Sequence, residues 1–381
     1  MIIKKCNGCG SILQDTNPDK QGFIPKLNSD SKYCKRCFRL MHYNELPKIV
    51  ASNEDYEKVI DDVIKRNGLI VFIVDIFQFK STFNKKMIDK LRNKDVILVA
   101  NKYDTFPKSV NISNIVDWLS HECEKIFFKV LAIHIVSSKK GYYIKELTNT
   151  IDIATKGRDV YFVGCANVGK SSLINALVKA NTSKVEDVIS TSVIPGTTLN
   201  EIKIPFFDDN KALIDTPGLI NENDVLESLL PLSYKKIMPN TEMKPKTYQI
   251  SDDNTLSFAG LAFMSFKCED KISVIMYTSN DLYIHRCKTA KLANLIETQL
   301  GGILNPPLKD EVANIKYKDL KLSLDGKKKK DIWFSGFGFA EIIGKCDIDI
   351  KVIENTEVYV TDAIIGSSVK ASKWKIKGSS K

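Results

Sequence analysis

The sequence predicts an α/β protein built on a doubly wound, mostly parallel sheet, with a four-cysteine module ahead of it and a β-rich α+β region behind. Three observations carry this reading. Short apolar runs alternate with segments of helical spacing between residues 69 and 215, a glycine-rich loop joins one such run to a helix, and after Pro231 the pattern changes to short strands and turns. The chain has 381 residues, more than one hydrophobic core usually holds, and is read as three domains, 1–46, 47–225 and 226–381. With 43% apolar and 27% charged residues, and only 19 Gly and 12 Pro, collagen-like, low-complexity and wholly disordered classes are excluded. No apolar run approaches the roughly 20 residues of a spanning helix, and MIIKKCNGCG has no signal-like apolar core, so a cytoplasmic protein is expected.

The first element is Cys6-x-x-Cys9 followed, after an intervening segment of low apolar content, by Cys34-x-x-Cys37. Four thiolates at that spacing can meet at one tetrahedral ion, and a site with four protein ligands has no open position, so the metal would fold the segment without doing chemistry. Zinc is the reading taken, with an iron–sulfur cluster as the alternative for the same ligands and a redox dithiol disfavoured by there being two pairs. The other five cysteines stand singly, which argues against a secreted disulfide framework.

Strands follow at 69–75, 95–100, 130–136, 159–163, 201–206 and 211–215, with helices near 81–92, 111–126, 142–156 and 169–180. The strand ending at Val163 runs into Gly164-x-x-x-x-Gly169-Lys170-Ser171 and then into Leu173, Ile174 and Leu177 at helical spacing. In such a loop backbone N–H groups and the helix N-terminus converge on phosphates, Lys170 reaches the β/γ-phosphates, and the Ser171 hydroxyl ligates Mg²⁺. The strand ending in Asp215 leads to Thr216-Pro217-Gly218: a carboxylate placed to hold magnesium through water, and a glycine free to swing toward a γ-phosphate. Between these motifs Pro195-Gly196-Thr197-Thr198 reads as a loop whose threonine closes on the metal.

Two further elements stand before the phosphate loop, where the usual order would place them after it. Asn101-Lys102-Tyr103-Asp104 follows one strand and Ser137-Ser138-Lys139 another. The Asp104 carboxylate can accept from N1–H and the exocyclic amine of guanine, a donor pair adenine lacks on that edge, so GTP is favoured over ATP. The order is therefore base clamp, second base loop, phosphate loop, first switch, second switch: a circular permutation, tolerated because ligand loops gather at the carboxyl ends of parallel strands whatever the chain order.

On these motifs the chain resembles the YqeH family of circularly permuted GTPases, which assist assembly of the small ribosomal subunit. The resemblance implies GTP/GDP, Mg²⁺ and Zn²⁺ as cofactors and ribosomal RNA as partner. It implies nucleotide contacts from Asn101, Lys102, Asp104, Ser137, Ser138, Lys139, Gly164, Asn167, Val168, Gly169, Lys170, Ser171, Ser172, Thr197, Thr198, Asp215 and Gly218. Catalysis would fall to Lys170, Thr198, Asp215, Gly218 and Asn167, with magnesium on Ser171, Thr198 and Asp215, and zinc on Cys6, Cys9, Cys34 and Cys37. No glutamine occurs between Asp215 and Gln249, so the water-positioning group of Ras-like enzymes is missing and the chain alone should be slow. The likeness implies a substitute, a K⁺ ion held beside the phosphates by Asn167; the alternative is that Asn167 only suits the loop's backbone.

The net charge of +10 divides as +4 over residues 1–46, zero over 47–229 and +6 over 230–381, so the two ends are expected to meet a polyanion, with ordinary solvated surface as the alternative. Because the second switch runs almost directly into the last domain, movement at Gly218 is expected to reorient an RNA-facing region. That region shows a faint internal repeat, Leu256 to Phe263 against Ile332 to Phe339, with a helix at Thr289 to Gln299 between the halves. Lys327 to Lys330 reads as a hairpin or loop tip. Trp333, Phe337 and Phe339 are either core or base-stacking side chains, and Cys165 reads as a small filler in the phosphate loop. A second functional reading survives, in which a zinc-containing RNA-binding protein only senses guanine nucleotide with negligible turnover.

Overall fold

Each apolar run expected between residues 69 and 215 is a strand. In the computed structural model the order is α1 (Asn53–Lys65), β1 (Leu69–Asp75), α2 (Phe79–Thr82), α3 (Lys85–Leu91), β2 (Val96–Asn101), α4 (Ile112–Lys125), β3 (Ala132–Ile135), α5 (Ile144–Thr155), β4 (Val160–Gly164), α6 (Lys170–Ala180), β5 (Ile194–Pro195), β6 (Ile202–Pro205) and β7 (Ala212–Asp215). The structure describes residues 12–16, 23–24, 53–180, 194–195, 202–205, 212–219 and 229–365. The cysteines Cys6, Cys9, Cys34 and Cys37, and the loop residues Thr197 and Thr198, lie outside the described residues.

These strands form one sheet in the order β3-β2-β1-β4-β7-β6-β5. Strands β3, β2, β1, β4 and β7 run parallel, while β6 and β5 turn back antiparallel at one edge. Strand β1, sequence LIVFIVD, is buried at every position, as a central parallel strand covered on both faces requires. The helix expected over 81–92 is two short helices. Asn84 has extended backbone and its side chain accepts from the Met87 N–H at 3.3 Å, a cap that ends one helix and starts the next.

The described residues fall into two compact units. One lies within Met1–Asp104 and Phe128–Glu222, the other within Thr105–Phe127 and Asn223–Lys381. Helix α4, which the sequence suggested as cover for the parallel sheet, therefore belongs to the second unit, and aromatic stacking explains why. Trp118 lies on Trp333 with ring centroids 5.3 Å apart, and Phe106 lies 6.2 Å from Phe339. Apolar spacing showed that this helix needed a partner but not which one.

The second unit continues with α7 (Pro231–Ile237), β8 (Lys246–Ile250), β9 (Asn254–Phe258), β10 (Ala262–Lys267), β11 (Ile272–Tyr277), β12 (Ile284–Lys288), α8 (Leu292–Gln299), β13 (Tyr317–Asp325), β14 (Lys330–Phe334), β15 (Gly338–Ile343), β16 (Lys345–Ile353) and β17 (Val358–Asp362). Two five-stranded antiparallel sheets result, β12-β9-β10-β16-β13 and β17-β14-β15-β11-β8. Exchanging β8–β12 for β13–β17 in order turns one sheet into the other. The repeat is real, and its offset holds strand by strand: β9 begins at 254 and β14 at 330, β10 at 262 and β15 at 338. Each half gives three strands to one sheet and two to the other, so neither completes a sheet alone.

This arrangement decides two open points. Trp333, Phe337 and Phe339 are almost wholly buried and serve as core, not as base-stacking platforms. Lys327 to Lys330 lies on a loop running into β14, but not on a hairpin, because β13 and β14 belong to different sheets; Lys330 pairs with Asp362 at 2.6 Å and Lys329 lies 3.7 Å from Glu341.

The same sheet carries a pH-sensitive element. Asp331 and Glu341 are register partners on β14 and β15, both buried, and Oδ1 of Asp331 has no hydrogen-bond partner among the described residues. Burial holds the Asp331 carboxyl well above the ordinary carboxylate value, and Glu341 and Asp362 push the same way against the Ile364 N–H and Lys329. A carboxyl that keeps its proton in the folded state while the unfolded chain ionises loses stability as pH rises from the ordinary carboxylate range through its folded value. Asp331→Asn should therefore raise the melting temperature at neutral pH and flatten that decline, measured by thermal melts across a pH series; a lower melting temperature at every pH would contradict it.

Candidate nucleotide-binding site

Because β1, β2, β3, β4 and β7 are parallel, the segments after their carboxyl ends open on one edge of the sheet. Every described candidate residue lies at or just after one of these ends. Asn101 ties three of the segments together: its side-chain amide donates to the Val168 carbonyl at 2.9 Å and lies 3.1 Å from the Ser138 hydroxyl, while its oxygen accepts the Ser138 N–H at 3.0 Å. The segments after β2 and β3 are thus bonded to the phosphate loop. A Cβ at Gly169, whose φ is +95°, would come 2.4 Å from the Asn101 amide nitrogen, so this crossing requires glycine.

Asp104 accepts the Ser137 hydroxyl at 2.7 Å, and the same hydroxyl accepts the Lys140 N–H at 2.9 Å. The carboxylate is thus oriented by the segment that follows β3. Lys102 extends its ammonium to the buried Asp75 at 2.6 Å. Lys139 and Ser172 are exposed, and Val168 is buried beneath the loop.

On the phosphate side, the Lys170 ammonium is folded onto the loop, donating to the carbonyls of Gly164 at 3.0 Å and Cys165 at 2.8 Å. Burial pushes this lysine below its usual value, with Asp215 and Cys165 opposing the shift. The Ser171 hydroxyl donates to Asp215 at 2.7 Å, which sets two hard oxygen donors side by side at the helix start. That donor set fits Mg²⁺, whose role would be to bridge and neutralise phosphate oxygens.

Gly218 lies against the loop. A Cβ there would meet Ala166 Cα and the Lys170 ammonium nitrogen, each at 2.8 Å, and the next residue extends the sheet as Ala166 N–H donates to the Leu219 carbonyl at 2.8 Å. Asn167 has φ of +61°, a left-handed conformation that asparagine tolerates better than most residues, which accounts for this residue type by backbone alone. Cys165 is buried, its thiol 3.6 Å from the Thr82 carbonyl, in keeping with a filler. Sequence reasoning placed Thr216 in the Asp215 motif but not its role, a buried hydroxyl that donates to the Phe162 carbonyl at 2.7 Å and fixes the β7 end, and it missed Asp75, the one charged residue closing an otherwise apolar strand. Among the described residues no group of three or more His, Cys, Asp or Glu is placed to hold a metal.

A phosphate loop, a magnesium-type serine–aspartate pair and an Asn-Lys-x-Asp clamp on one parallel sheet, in permuted order, define a P-loop GTPase domain. Residues 159–248 match the model of the 50S ribosome-binding GTPase family, and residues 271–364 match that of the YqeH-like C-terminal domain. The chain belongs to the YqeH family: it is 36% identical to the uncharacterized protein YqeH of Bacillus subtilis, over 91% of this chain and 94% of that one. It is also 28% identical to NO-associated protein 1, chloroplastic/mitochondrial, of Arabidopsis thaliana, over 89% of this chain and 70% of that protein. GTPase Der of Aquifex aeolicus is 30% identical over 45% of this chain and 39% of its own. No helix among the described residues is long and apolar enough to cross a membrane.

Proposed function

We propose that this protein is a Mg²⁺-dependent GTPase of ribosome assembly, acting on the small subunit in the cytoplasm, with nucleotide state coupled to RNA contact at its basic ends. The observation that carries the nucleotide part is the bonding of Asn101 to both Val168 and Ser138, which makes base clamp and phosphate loop one preorganised unit. The neutral centre and the surplus charge of residues 1–46 and 230–381 support RNA contact at the ends, since phosphate neutralisation dominates affinity for nucleic acid. In this reading Cys6, Cys9, Cys34 and Cys37 hold zinc and shape the first basic end. Lys170 and the loop amides hold the phosphates, Ser171, Thr198 and Asp215 hold magnesium, and Gly218 senses the γ-phosphate from beside the loop. Loss of that phosphate would release the segment leading from Gly218 into the C-terminal unit.

The missing glutamine supports the second reading, a guanine-nucleotide sensor with negligible turnover. Potassium at Asn167 is the feature that would make the chain an enzyme on its own terms. Multiple-turnover phosphate release from GTP, in KCl and NaCl at equal ionic strength, with small subunits, large subunits or neither, tests both points. The expected result is slow release that rises with KCl and rises further with small subunits. Equal rates in both salts would remove the potassium role, stimulation by large subunits alone would move the assignment to that particle, and no turnover under any condition would leave the sensor.

A further inference from the structure

The carboxylate of Asp75 is fully buried, and the nucleotide chemistry derived above gives it no role. A buried carboxylate needs partners, and each oxygen has one. Oδ1 accepts the Phe77 N–H at 2.9 Å, and Oδ2 accepts from the Lys102 ammonium at 2.6 Å. The backbone beneath it is fixed as well, because the Asp75 N–H donates to the Thr82 hydroxyl at 3.1 Å and that hydroxyl donates to the Gln78 carbonyl at 2.8 Å. Asp75 is also the register partner of Asn101, so the carboxylate and the start of Asn-Lys-x-Asp share one rung of the sheet.

Lys102 itself is held in a left-handed conformation, φ +71°, between two backbone bonds: Ile76 N–H to the Asn101 carbonyl and Tyr103 N–H to the Val136 carbonyl, each at 3.1 Å. A lysine side chain has many rotamers, and ordering it when ligand arrives would cost affinity; a carboxylate that orders it beforehand removes that cost. We infer that Asp75 is a positioning residue for guanine recognition, which acts by fixing Lys102 and touches no nucleotide itself. The inference deepens, and rests on, the guanine reading of residues 101–104.

Calorimetric titration of the full chain with GDP and with ADP tests it, using wild type, Asp75→Asn, Asp75→Glu, Lys102→Met and the double variant Asp75→Asn/Lys102→Met, each with a thermal melt. Asp75→Asn keeps the acceptor for Phe77 and removes the charge; Asp75→Glu keeps the charge and shifts the ammonium by one methylene. Both are expected to weaken GDP about tenfold, and adding Asp75→Asn to Lys102→Met should cost less than about twofold more. Asp75→Glu also keeps the test open if loss of the charge prevents folding. A carboxylate that merely neutralises a buried charge would leave Asp75→Glu at wild-type affinity, and independent effects would multiply in the double variant; either outcome overturns the inference, as does wild-type GDP affinity in Asp75→Asn. Wild-type protein with no preference for GDP over ADP would instead sink the guanine reading beneath it.

Discussion

Asp104→Asn should weaken GDP binding by about a hundredfold or more and make XDP the better ligand, because the bond to the exocyclic amine becomes a donor–donor clash and the bond to N1–H loses its charged acceptor. The carboxylate stands just beyond the end of β2, oriented by the Ser137 hydroxyl at 2.7 Å, and has acceptors where guanine offers two donors. An asparagine presents one acceptor and one donor, which clashes with the guanine amine but matches the C2 carbonyl of xanthine. Direct titration with both nucleotides measures the exchange. If the variant held GDP within about threefold of wild type, the base would be read elsewhere and residues 101–104 would be only a well-capped turn.

Trp333→Ala should destabilise the C-terminal unit by about 3–5 kcal/mol, the range for truncating a large buried aromatic, and lower its melting temperature by about 10 °C. Trp333 is 1% exposed and stacks on Phe339 at 4.2 Å, Trp118 at 5.3 Å and Tyr359 at 5.9 Å, while its indole N–H donates to the Thr361 hydroxyl at 3.0 Å. Removing it leaves a cavity among three rings and one unpaired hydroxyl contact, and it takes away the partner that holds α4. Melting followed by tryptophan fluorescence, where Trp118 remains as reporter, gives the measurement. A variant whose melting matched wild type would mean that the ring column is peripheral to this core.

The phosphate loop, the Asp215 motif and the base clamp were legible because each is a short run of residues whose chemistry depends on its own spacing. Parallel strands then bring such runs to one edge without further instruction from the sequence. Asp75 was not legible as a partner of Lys102, because their pairing depends on β1 and β2 being neighbours in register. Asn101 looked like part of a tetrapeptide; only the fold shows its amide reaching the Val168 carbonyl across a sequence separation of 67 residues. Trp333, Phe337 and Phe339 illustrate the same limit, since an aromatic on a strand reads alike whether the facing layer is solvent or another sheet.

By itself the sequence carried the local patterns: two Cys-x-x-Cys pairs, a phosphate loop, an Asn-Lys-x-Asp run ahead of it, and two similar β segments in the last third of the chain. Spacing and side-chain type are local properties, and they survive permutation of the chain. Only the tertiary structure decided that the two β segments trade strands between sheets, that α4 belongs with the second unit, and that one buried carboxylate aligns the lysine of the base clamp. Those outcomes follow from which apolar faces and which sheet edges complete one another, and such non-local pairings are settled by burial and hydrogen bonding across the whole fold.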